Sequence, residues 1–267
     1  MATIPTVDAA AAPSRSARTI VMLHGAFAGA WTFRRFKAVF ERLDWACETP
    51  DLIHHGAHKG EGDRLAGVSL RRYTRQMADH LASFATPPVL LAHSMGCVIA
   101  QQLAARRLVR ALILVGPAGR WGILPSADFE KQGSQGLMNL GPFWQTAVHA
   151  NFEVAVATSL NRIPPAERRA VFDQFGPESG QALFELFFWM LDTEGAAKVD
   201  TDAIRCPVLC VRGSDDRVVS AGTAGATAAP YRGAQVWEEA NHGHMLMLEP
   251  GAEAIARRIA RWAGRLP

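Results

Sequence analysis

Short apolar runs alternate with segments of helical periodicity along most of the chain. The first unit begins with TIVML (19–23), continues with the helical spacing of WTFRRFKAVFERL (31–43) and returns to an apolar run in ACETPDL (46–52). This order is typical of a strand-helix-strand unit, in which two parallel strands are joined by a helix.

The same alternation continues to residue 116 and resumes at residue 206. The predicted strands cover 88–93, 111–116, 206–213 and 234–239, and the predicted helices cover 69–84, 95–107, 220–228 and 250–264. Continuously apolar strands between helices indicate burial on both faces of a sheet. We therefore predict an α/β fold with a mostly parallel sheet of about six strands, covered by helices on both faces.

Residues 119–200 interrupt this alternation. The stretches FWQTAVHANFEVAVATSL and QALFELFFWMLDTE have helical patterning, and no strand signal lies between them. We predict a helical cap inserted after the fourth strand, with residues 19–118 and 201–267 forming the core. The leader, residues 1–18, has no cationic start followed by a continuous apolar core, so we expect a flexible tail and not a secretory signal.

Composition excludes several other classes of protein. A chain of 267 residues with 49% hydrophobic content can bury roughly three quarters of its unfolded surface, enough for one large domain with an inserted lobe. The net charge of +3 comes from scattered arginines among acidic residues, which argues against a nucleic-acid partner. No run approaches the roughly 18 apolar residues of a membrane span.

The four cysteines form neither a paired framework nor a C-x-x-C metal motif. Cys206 and Cys210 fall on one predicted strand, which would hold their Cα atoms about 13 Å apart, too far for a disulfide. We therefore expect Cys47, Cys97, Cys206 and Cys210 to be buried free thiols in a reducing compartment, which predicts a cytoplasmic protein.

The stretch LLAHSMGCV (90–98) places Ser94 where a predicted strand meets a predicted helix. A sharp turn at this junction would present the serine hydroxyl above the carboxyl edge of the sheet, where open parallel sheets bind ligands. Such a turn needs small neighbours, a requirement that Gly96 meets and that Ala92 meets with one extra methyl group. The pentapeptide alone does not distinguish a nucleophile from a helix-capping serine.

Two later motifs favour the nucleophile. VRGSDDRVVS follows a late predicted strand and ANHGHMLMLEP follows the last one, which gives the order serine, aspartate, histidine. A serine hydroxyl becomes nucleophilic when an imidazole accepts its proton, and a carboxylate orients that imidazole and stabilises its charged form. The sequence therefore predicts nucleophilic catalysis by a serine.

The chain resembles α/β-hydrolase fold proteins over nearly its whole length after the leader. The similarity lies in HGAFAGAW (24–31), AHSMG (92–96), GSDD (213–216) and GHMLMLEP (243–250), and some bacterial lipases of this superfamily also have alanine first in the serine motif. HGAFAGAW further resembles the branch that contains methyl-ester esterases and plant hydroxynitrile lyases. One departure is DLIHHG (51–56), where relatives often have D-x-x-G-x-G, and it predicts a loop of different shape.

The resemblance implies a catalytic triad of Ser94, Asp216 and His244. The family's acid lies three residues after the glycine that ends its strand, which selects Asp216 and makes Asp215 a loop carboxylate. The family's histidine follows a glycine and precedes an acidic residue and proline, which selects His244 and makes His242 a loop residue.

The resemblance also implies an oxyanion hole made of backbone N–H groups. Met95 would supply one donor and Ala26 the other, with Phe27 as the alternative to Ala26. The implied activity is hydrolysis of a carboxylic ester, thioester or lactone, and the apolar, aromatic composition of residues 119–200 predicts a small to medium hydrophobic substrate. No Walker loop or dinucleotide fingerprint occurs, so no cofactor is implied.

The predicted substrate pocket contains His24, Phe27, Phe187, Trp189 and Met245. For His24 we favour a loop-fixing hydrogen bond over a catalytic role. The aromatic run Phe184, Phe187, Phe188 and Trp189 is more typical of a cap core, although its i, i+3, i+4 spacing lets one face contact substrate.

Three histidines, His54, His55 and His58, invite comparison with a metal site. No carboxylate or cysteine cluster accompanies them in the sequence, so we predict a solvated loop or one that lines the pocket rim, without metal.

Two other function classes stay open: a hydroxynitrile lyase or cofactor-free oxygenase, and a ligand-binding relative without turnover. In the lyases that the chain resembles, a threonine and a lysine assist cyanohydrin chemistry, whereas related esterases have a glycine and an apolar residue. The corresponding residues here are Gly25 and Met245, which favours hydrolysis.

Overall fold

The structure is a computed structural model that describes residues 18–56 and 62–266. The strands are β1 (Thr19–Leu23), β2 (Ala46–Glu48), β3 (Val89–His93), β4 (Ala111–Val115), β5 (Ala147–Val148), β6 (Glu178–Ser179), β7 (Val208–Gly213) and β8 (Gln235–Glu239). Six of them form a sheet with the order β2-β1-β3-β4-β7-β8, in which all pairings are parallel, and β5 and β6 form a separate antiparallel pair. The predicted fold class is confirmed, with a main sheet that is wholly parallel.

The helices follow the predicted periodicity, with most boundaries shifted by one or two residues. They are α1 (Arg34–Glu41), α2 (Gly62–Leu65), α3 (Leu70–Ala82), α4 (Gly96–Ala105), α5 (Asp128–Met138), α6 (Phe152–Ala157), α7 (Arg168–Phe172), α8 (Gly180–Phe187), α9 (Ala221–Ala228) and α10 (Ala252–Gly264). A 3-10 turn at Ala30–Phe33 replaces the start of the first predicted helix. The second strand ends at Glu48 instead of residue 52, just before Pro50, which has no N–H to donate to a neighbouring strand.

Successive side chains of the central strands point to opposite faces of the sheet. Val21 and Leu23 pack with residues of α3 and α4, whereas Ile20 and Met22 pack with residues of α1 and α10. Because both faces are covered, the strands are apolar at consecutive positions, as the sequence pattern predicted.

The segment between β4 and β7 contains α5 to α8, but it is less helical than predicted. FWQTAVHA forms a 3-10 turn at Phe143–Gln145 and then β5, which pairs with β6. A two-residue strand is too short to show the alternation that identifies strands in a sequence. The predicted leader lies outside the described residues except for Arg18.

All four cysteines are free, as predicted, and Cys97 and Cys210 are buried. Cys47 and Cys206 are only half-buried: Cys47 lies on β2, at the edge of the sheet, and Cys206 precedes the first residue of β7. Among the described residues, no helix is both long and apolar enough to cross a membrane.

Candidate active site

Ser94 occupies a sharp turn between β3 and α4. Its backbone has a left-handed φ of 52°, a conformation that costs a residue with a Cβ roughly 1–2 kcal/mol. Hydrogen bonds to the adjoining chain hold the turn: Ser94 N donates to Val115 O at 3.0 Å, and Ser94 O accepts from Ala118 N at 3.3 Å. The half-buried serine therefore lies at the carboxyl ends of β3 and β4.

Two glycines allow the backbone to approach Ser94 closely. A Cβ placed on Gly96 would overlap the carbonyl oxygen of His24, and a Cβ on Gly25 would lie 2.8 Å from the Cβ of Ser94. Neither position accepts a side chain without movement of the backbone. Ala92, the first residue of the serine motif, is fully buried within β3.

Asp216 and His244 come together at the ends of β7 and β8. His244 Nδ1 donates to Asp216 Oδ2 at 2.9 Å, and the other carboxylate oxygen accepts from the N–H groups of Val218 (2.7 Å) and Val219 (2.8 Å). Both side chains are buried. Because Nδ1 carries the hydrogen that bonds Asp216, Nε2 of the neutral imidazole keeps a lone pair that can accept a proton.

The neighbouring candidates lie outside this pair. Asp215 is 40% exposed, and its Oδ2 lies 2.9 Å from Arg162 Nε. The two ring nitrogens of His242 lie 2.9 Å from the carbonyl oxygens of Ala240 and Pro250. Asp215 and His242 are thus loop residues, the role predicted for them.

Two residues that the sequence did not single out complete the surroundings of His244. Gly116 has a φ of 52°, and a Cβ there would lie 3.1 Å from His244 Nδ1. His93 packs its ring 4.6 Å from the His244 ring and donates from Nε2 to His244 O at 3.0 Å. Burial, reinforced by the nearby charge of His244, lowers the pKa of His93 well below its usual value, so His93 stays neutral.

Of the predicted oxyanion-hole donors, Met95 directly follows Ser94, and Ala26 directly follows Gly25, which approaches the Cβ of Ser94 closely. Within the described part of the chain, the backbone N–H groups of Met95 and Ala26 donate to no residue. Phe27 has a left-handed φ of 63°, and its carbonyl accepts a 2.9 Å hydrogen bond from Gly176 N in the inserted segment. The insertion therefore contacts the loop that would bind an oxyanion.

His24 supports the loop that carries Ala26 and Phe27 through two hydrogen bonds. Its Nδ1 donates to Gly25 O at 2.8 Å, and its Nε2 accepts from Leu52 N at 3.0 Å. Burial, with a smaller effect of the charge on His55, lowers the pKa of His24 to about 4. The side chain has no exposed surface, so it supports the loop backbone and does not line the predicted pocket.

Phe187 and Phe27 lie in an aromatic cluster at the junction of the insertion and the core. The cluster also packs against Ala26. Its other members are Leu137, Phe143, Trp144, Val148, Leu183, Phe184 and Phe188. This arrangement brings apolar side chains of the insertion against the predicted oxyanion loop.

The remaining two predicted pocket residues have other surroundings. Trp189 donates from Nε1 to Ile123 O at 3.2 Å and packs its ring 5.1 Å from that of Trp121, all within the insertion. Met245, on the loop after β8, is buried in the core cluster on the α1 and α10 face and not on a pocket wall.

Two cavities flank the site, and Ser94 lines neither. One, of about 350 Å³, lies between the loop after β1, the loop after β2 and residues 174–177. The other, of about 650 Å³, lies beside Asp216 and is also lined by Asn161, Arg162, Arg168 and Arg217. Both border the loops that surround the serine.

A buried ion pair joins the loop after β2 to the insertion. His55 donates from Nδ1 to Ile53 O at 3.0 Å and from Nε2 to Glu178 Oε2 at 3.1 Å. Tyr73 donates its hydroxyl to the other oxygen of Glu178 at 2.8 Å. Both ring nitrogens face acceptors, an arrangement that satisfies both N–H groups of a protonated imidazole.

The pKa values of the two partners shift in the directions that favour both charges. Burial alone would lower the pKa of His55, but the charge and hydrogen bond of Glu178 outweigh it and raise that pKa. Burial alone would raise the pKa of Glu178, but His55 and the hydrogen bonds from Tyr73 and Ser179 lower it.

The prediction of a solvated loop is therefore wrong for His55, which is buried, although His55 does line the smaller cavity. Its partner Glu178 lies 123 residues away along the chain, so the sequence around the histidines gave no sign of it. His54 is half-buried at the edge of the smaller cavity, and His58 lies outside the described residues. No group of histidine, cysteine and acidic residues in the described ranges could hold a metal ion.

Comparisons with known proteins identify the family and the fold. Residues 20–257 match the model of a family described as the alpha/beta hydrolase family. A pyrethroid hydrolase from Sphingobium wenxiniae is 32% identical over 77 residues, which span 29% of this chain and 27% of that protein.

Solved structures resemble nearly the whole fold. A methylesterase from Arabidopsis has a TM-score of 0.71 at 12% identity, covering 92% of this chain and 99% of its own. A pyrethroid hydrolase from Sphingobium faniae has a TM-score of 0.67 at 21% identity, covering 93% and 98%. At these identities, the likeness to the solved structures establishes the fold alone.

The buried pair predicts a stability that depends on pH. Because the pKa of His55 is raised, its ion pair adds to the free energy of unfolding in full below pH 6.5, the ordinary pKa of histidine, and this stability is lost as the pH rises through the raised pKa. Because the pKa of Glu178 is lowered, the stability from Glu178 is present in full above pH 4.5 and is lost as the pH falls through the lowered pKa. Glu178→Gln should therefore lower the free energy of unfolding by about 3–5 kcal/mol at pH 6 and by less at pH 9, measured by urea unfolding.

Tyr73→Phe is the matched control, because it removes a hydrogen bond to Glu178 and keeps both charges. Its cost should be similar at the two pH values. An equal loss at pH 6 and pH 9 in Glu178→Gln would contradict a His55 that loses its charge between these pH values.

Proposed function

This chain belongs to the alpha/beta hydrolase family, and within it we propose a serine hydrolase that cleaves a carboxylic ester, thioester or lactone through an acyl-enzyme on Ser94. The observation that carries the proposal is the buried Asp216–His244 hydrogen bond, beside a serine held in a strained turn at the same sheet edge. A serine that only capped a helix would need neither the buried pair nor the two glycines packed around it.

The proposed reaction gives one role to each member of the proposed triad. The Ser94 hydroxyl attacks the acyl carbon while His244 Nε2 accepts its proton, and Asp216 stabilises the imidazolium that forms. The imidazolium then gives that proton to the departing alcohol. Water, activated by the same imidazole, releases the acid from Ser94 in the second half of the reaction.

The negative charge of the tetrahedral intermediate would be stabilised by the N–H groups of Met95 and Ala26. Backbone donors fixed before the reaction are worth roughly 3–4 kcal/mol each in transition-state stabilisation. His24 and the Gly176–Phe27 hydrogen bond hold the loop that carries Ala26. We place the second donor at Ala26 in preference to Phe27, because Phe27 follows it in a left-handed conformation that turns the chain toward the insertion.

We further propose that residues 119–200 form a cap over Ser94 and that the substrate carries an apolar acyl or alcohol group. Phe187 supports this assignment, since it lies in the aromatic cluster that contacts Ala26 and Phe27. Apolar pocket walls with a few fixed polar groups are typical of small-molecule sites.

Substitutions in the triad test the proposal. Ser94→Ala and His244→Ala should each lower kcat by about 10⁴-fold or more, and Asp216→Asn somewhat less, because the proton acceptor and its orienting carboxylate act as one unit. Turnover is measured with p-nitrophenyl butyrate and hexanoate. Asp215→Asn is the comparison and should cost less than Asp216→Asn.

Near-normal turnover in Ser94→Ala would contradict the acyl-enzyme. A larger loss in Asp215→Asn than in Asp216→Asn would transfer the acid role to Asp215.

The two positions at which the lyases have a threonine and a lysine carry no charged side chain here. A Cβ on Gly25 would lie 2.8 Å from that of Ser94, which leaves no room for a threonine, and Met245 is buried in the core where the lyases have lysine. An ammonium group would stabilise departing cyanide, and neither residue supplies charge or a side-chain donor. The groups that are present favour hydrolysis.

We therefore expect hydrolysis of p-nitrophenyl esters and no release of cyanide from mandelonitrile above the uncatalysed rate. Cyanide is measured colorimetrically with wild type and Ser94→Ala in parallel. Enzyme-dependent cyanide release that disappears in Ser94→Ala would make the lyase the correct assignment.

A further inference from the structure

The loops that carry Asp216 and His244 follow neighbouring strands, β7 and β8, which pair in register at Gly213 and Glu239. Beyond the strands the loops remain joined by backbone contacts. Ser214 N donates to Glu239 O at 2.9 Å, and Asp215 N donates to His242 O at 2.8 Å. These bonds set the spacing of the two loops on the side nearest the sheet.

Arg162, from the inserted segment, joins the same two loops on their outer side. Its Nε lies 2.9 Å from Asp215 Oδ2, on the acid loop, and donates to Asn241 O, on the histidine loop, also at 2.9 Å. Its Nη2 donates to Asn241 Oδ1 at 3.1 Å. One guanidinium group thus bonds a residue next to Asp216 and a residue three positions before His244.

Asn161 makes a second connection beside it. Its Nδ2 donates to Asp215 O at 2.8 Å. A Cβ on Gly243 would overlap Asn161 Oδ1, so the amide lies directly against the residue that precedes His244. Arg168 in turn fixes this part of the insertion, donating to the carbonyl oxygens of Asn161 (3.0 Å) and Ile163 (2.9 Å).

We propose that Asn161 and Arg162 are positioning residues that hold the Asp216 loop and the His244 loop in register. The inference rests on the proposed function, and it gives the insertion a role in aligning the catalytic pair in addition to covering the substrate. Neither residue touches the reacting atoms.

Loss of the Arg162 contacts should affect turnover more than the stability of the fold. Arg162 and Asp215 are each about two-fifths exposed, and exposed ion pairs add little to stability. The rate of catalysis depends more steeply on geometry, since a displacement of a catalytic group by about 1 Å can lower the rate on the order of 100-fold. The two loops carry one member each of the Asp216–His244 hydrogen bond, so a shift between them changes that bond directly.

Arg162→Gln tests the proposal, with Arg169→Gln as the matched control. Arg169 makes an equally short ion pair, 2.9 Å to Asp173, wholly within the insertion. Arg162→Gln should lower kcat for p-nitrophenyl butyrate by about ten- to 100-fold with little change in KM, whereas Arg169→Gln should retain the wild-type kcat. Arg162→Lys, which keeps the charge beside Asp215 but not both bonds to Asn241, should fall between them.

A second readout does not depend on turnover. The low-field proton NMR resonance of His244 Nδ1–H reports its hydrogen bond to Asp216, and it should broaden or shift in Arg162→Gln and in Asn161→Ala, but not in Arg169→Gln. If Arg162→Gln does not fold, Arg162→Lys and Asn161→Ala provide the same comparison.

An unchanged kcat and an unchanged resonance in these variants would overturn the positioning role. Absence of esterase activity in wild type, with the resonance still perturbed by Arg162→Gln, would overturn the proposed function and leave the positioning role supported.

Discussion

The close approach of the β3–α4 turn to the loop after β1 is the constraint on which the site depends. Gly96 lies against the carbonyl of His24, and Gly25 lies against the Cβ of Ser94. Because neither glycine position has room for a side chain, the strained serine turn and the loop that carries the proposed oxyanion donor pack directly against each other. Parallel pairing of β1, β3 and β4 supplies the common edge at which this contact forms.

Buried histidines around this edge differ in charge because their partners differ. His24 and His93 are fully buried without a carboxylate hydrogen bond, and burial lowers the pKa of each. His55 bonds to Glu178, and that carboxylate raises its pKa. The neutral imidazole of His93, next to His244, does not oppose the positive charge that forms on His244 during the proposed reaction. His55, whose ring lies 5.1 Å from that of His24, is paired with an acid of its own.

Local patterns in the sequence predicted the parallel sheet and the turn at Ser94, because strand alternation, helical spacing and small residues at a turn are properties of neighbouring positions. The pairing of His55 with Glu178 and the contacts of Arg162 with Asp215 and Asn241 could not be predicted. They join residues that lie far apart in the chain, and neither partner has an unusual sequence neighbourhood. Met245 was misplaced for a different reason, since its position directly after His244 does not give the direction of its side chain in that loop.

Labelling with a fluorophosphonate tests the central claim, an activated nucleophile at Ser94, most directly. The reagent phosphonylates a serine only when a neighbouring imidazole accepts the proton, so it reports the assembled site without a known substrate. Intact-mass analysis followed by peptide mapping should find one adduct per chain, located on the peptide that contains Ser94, and none in His244→Ala. Wild-type protein that stays unlabelled while folded, or an adduct on another serine, would contradict this account.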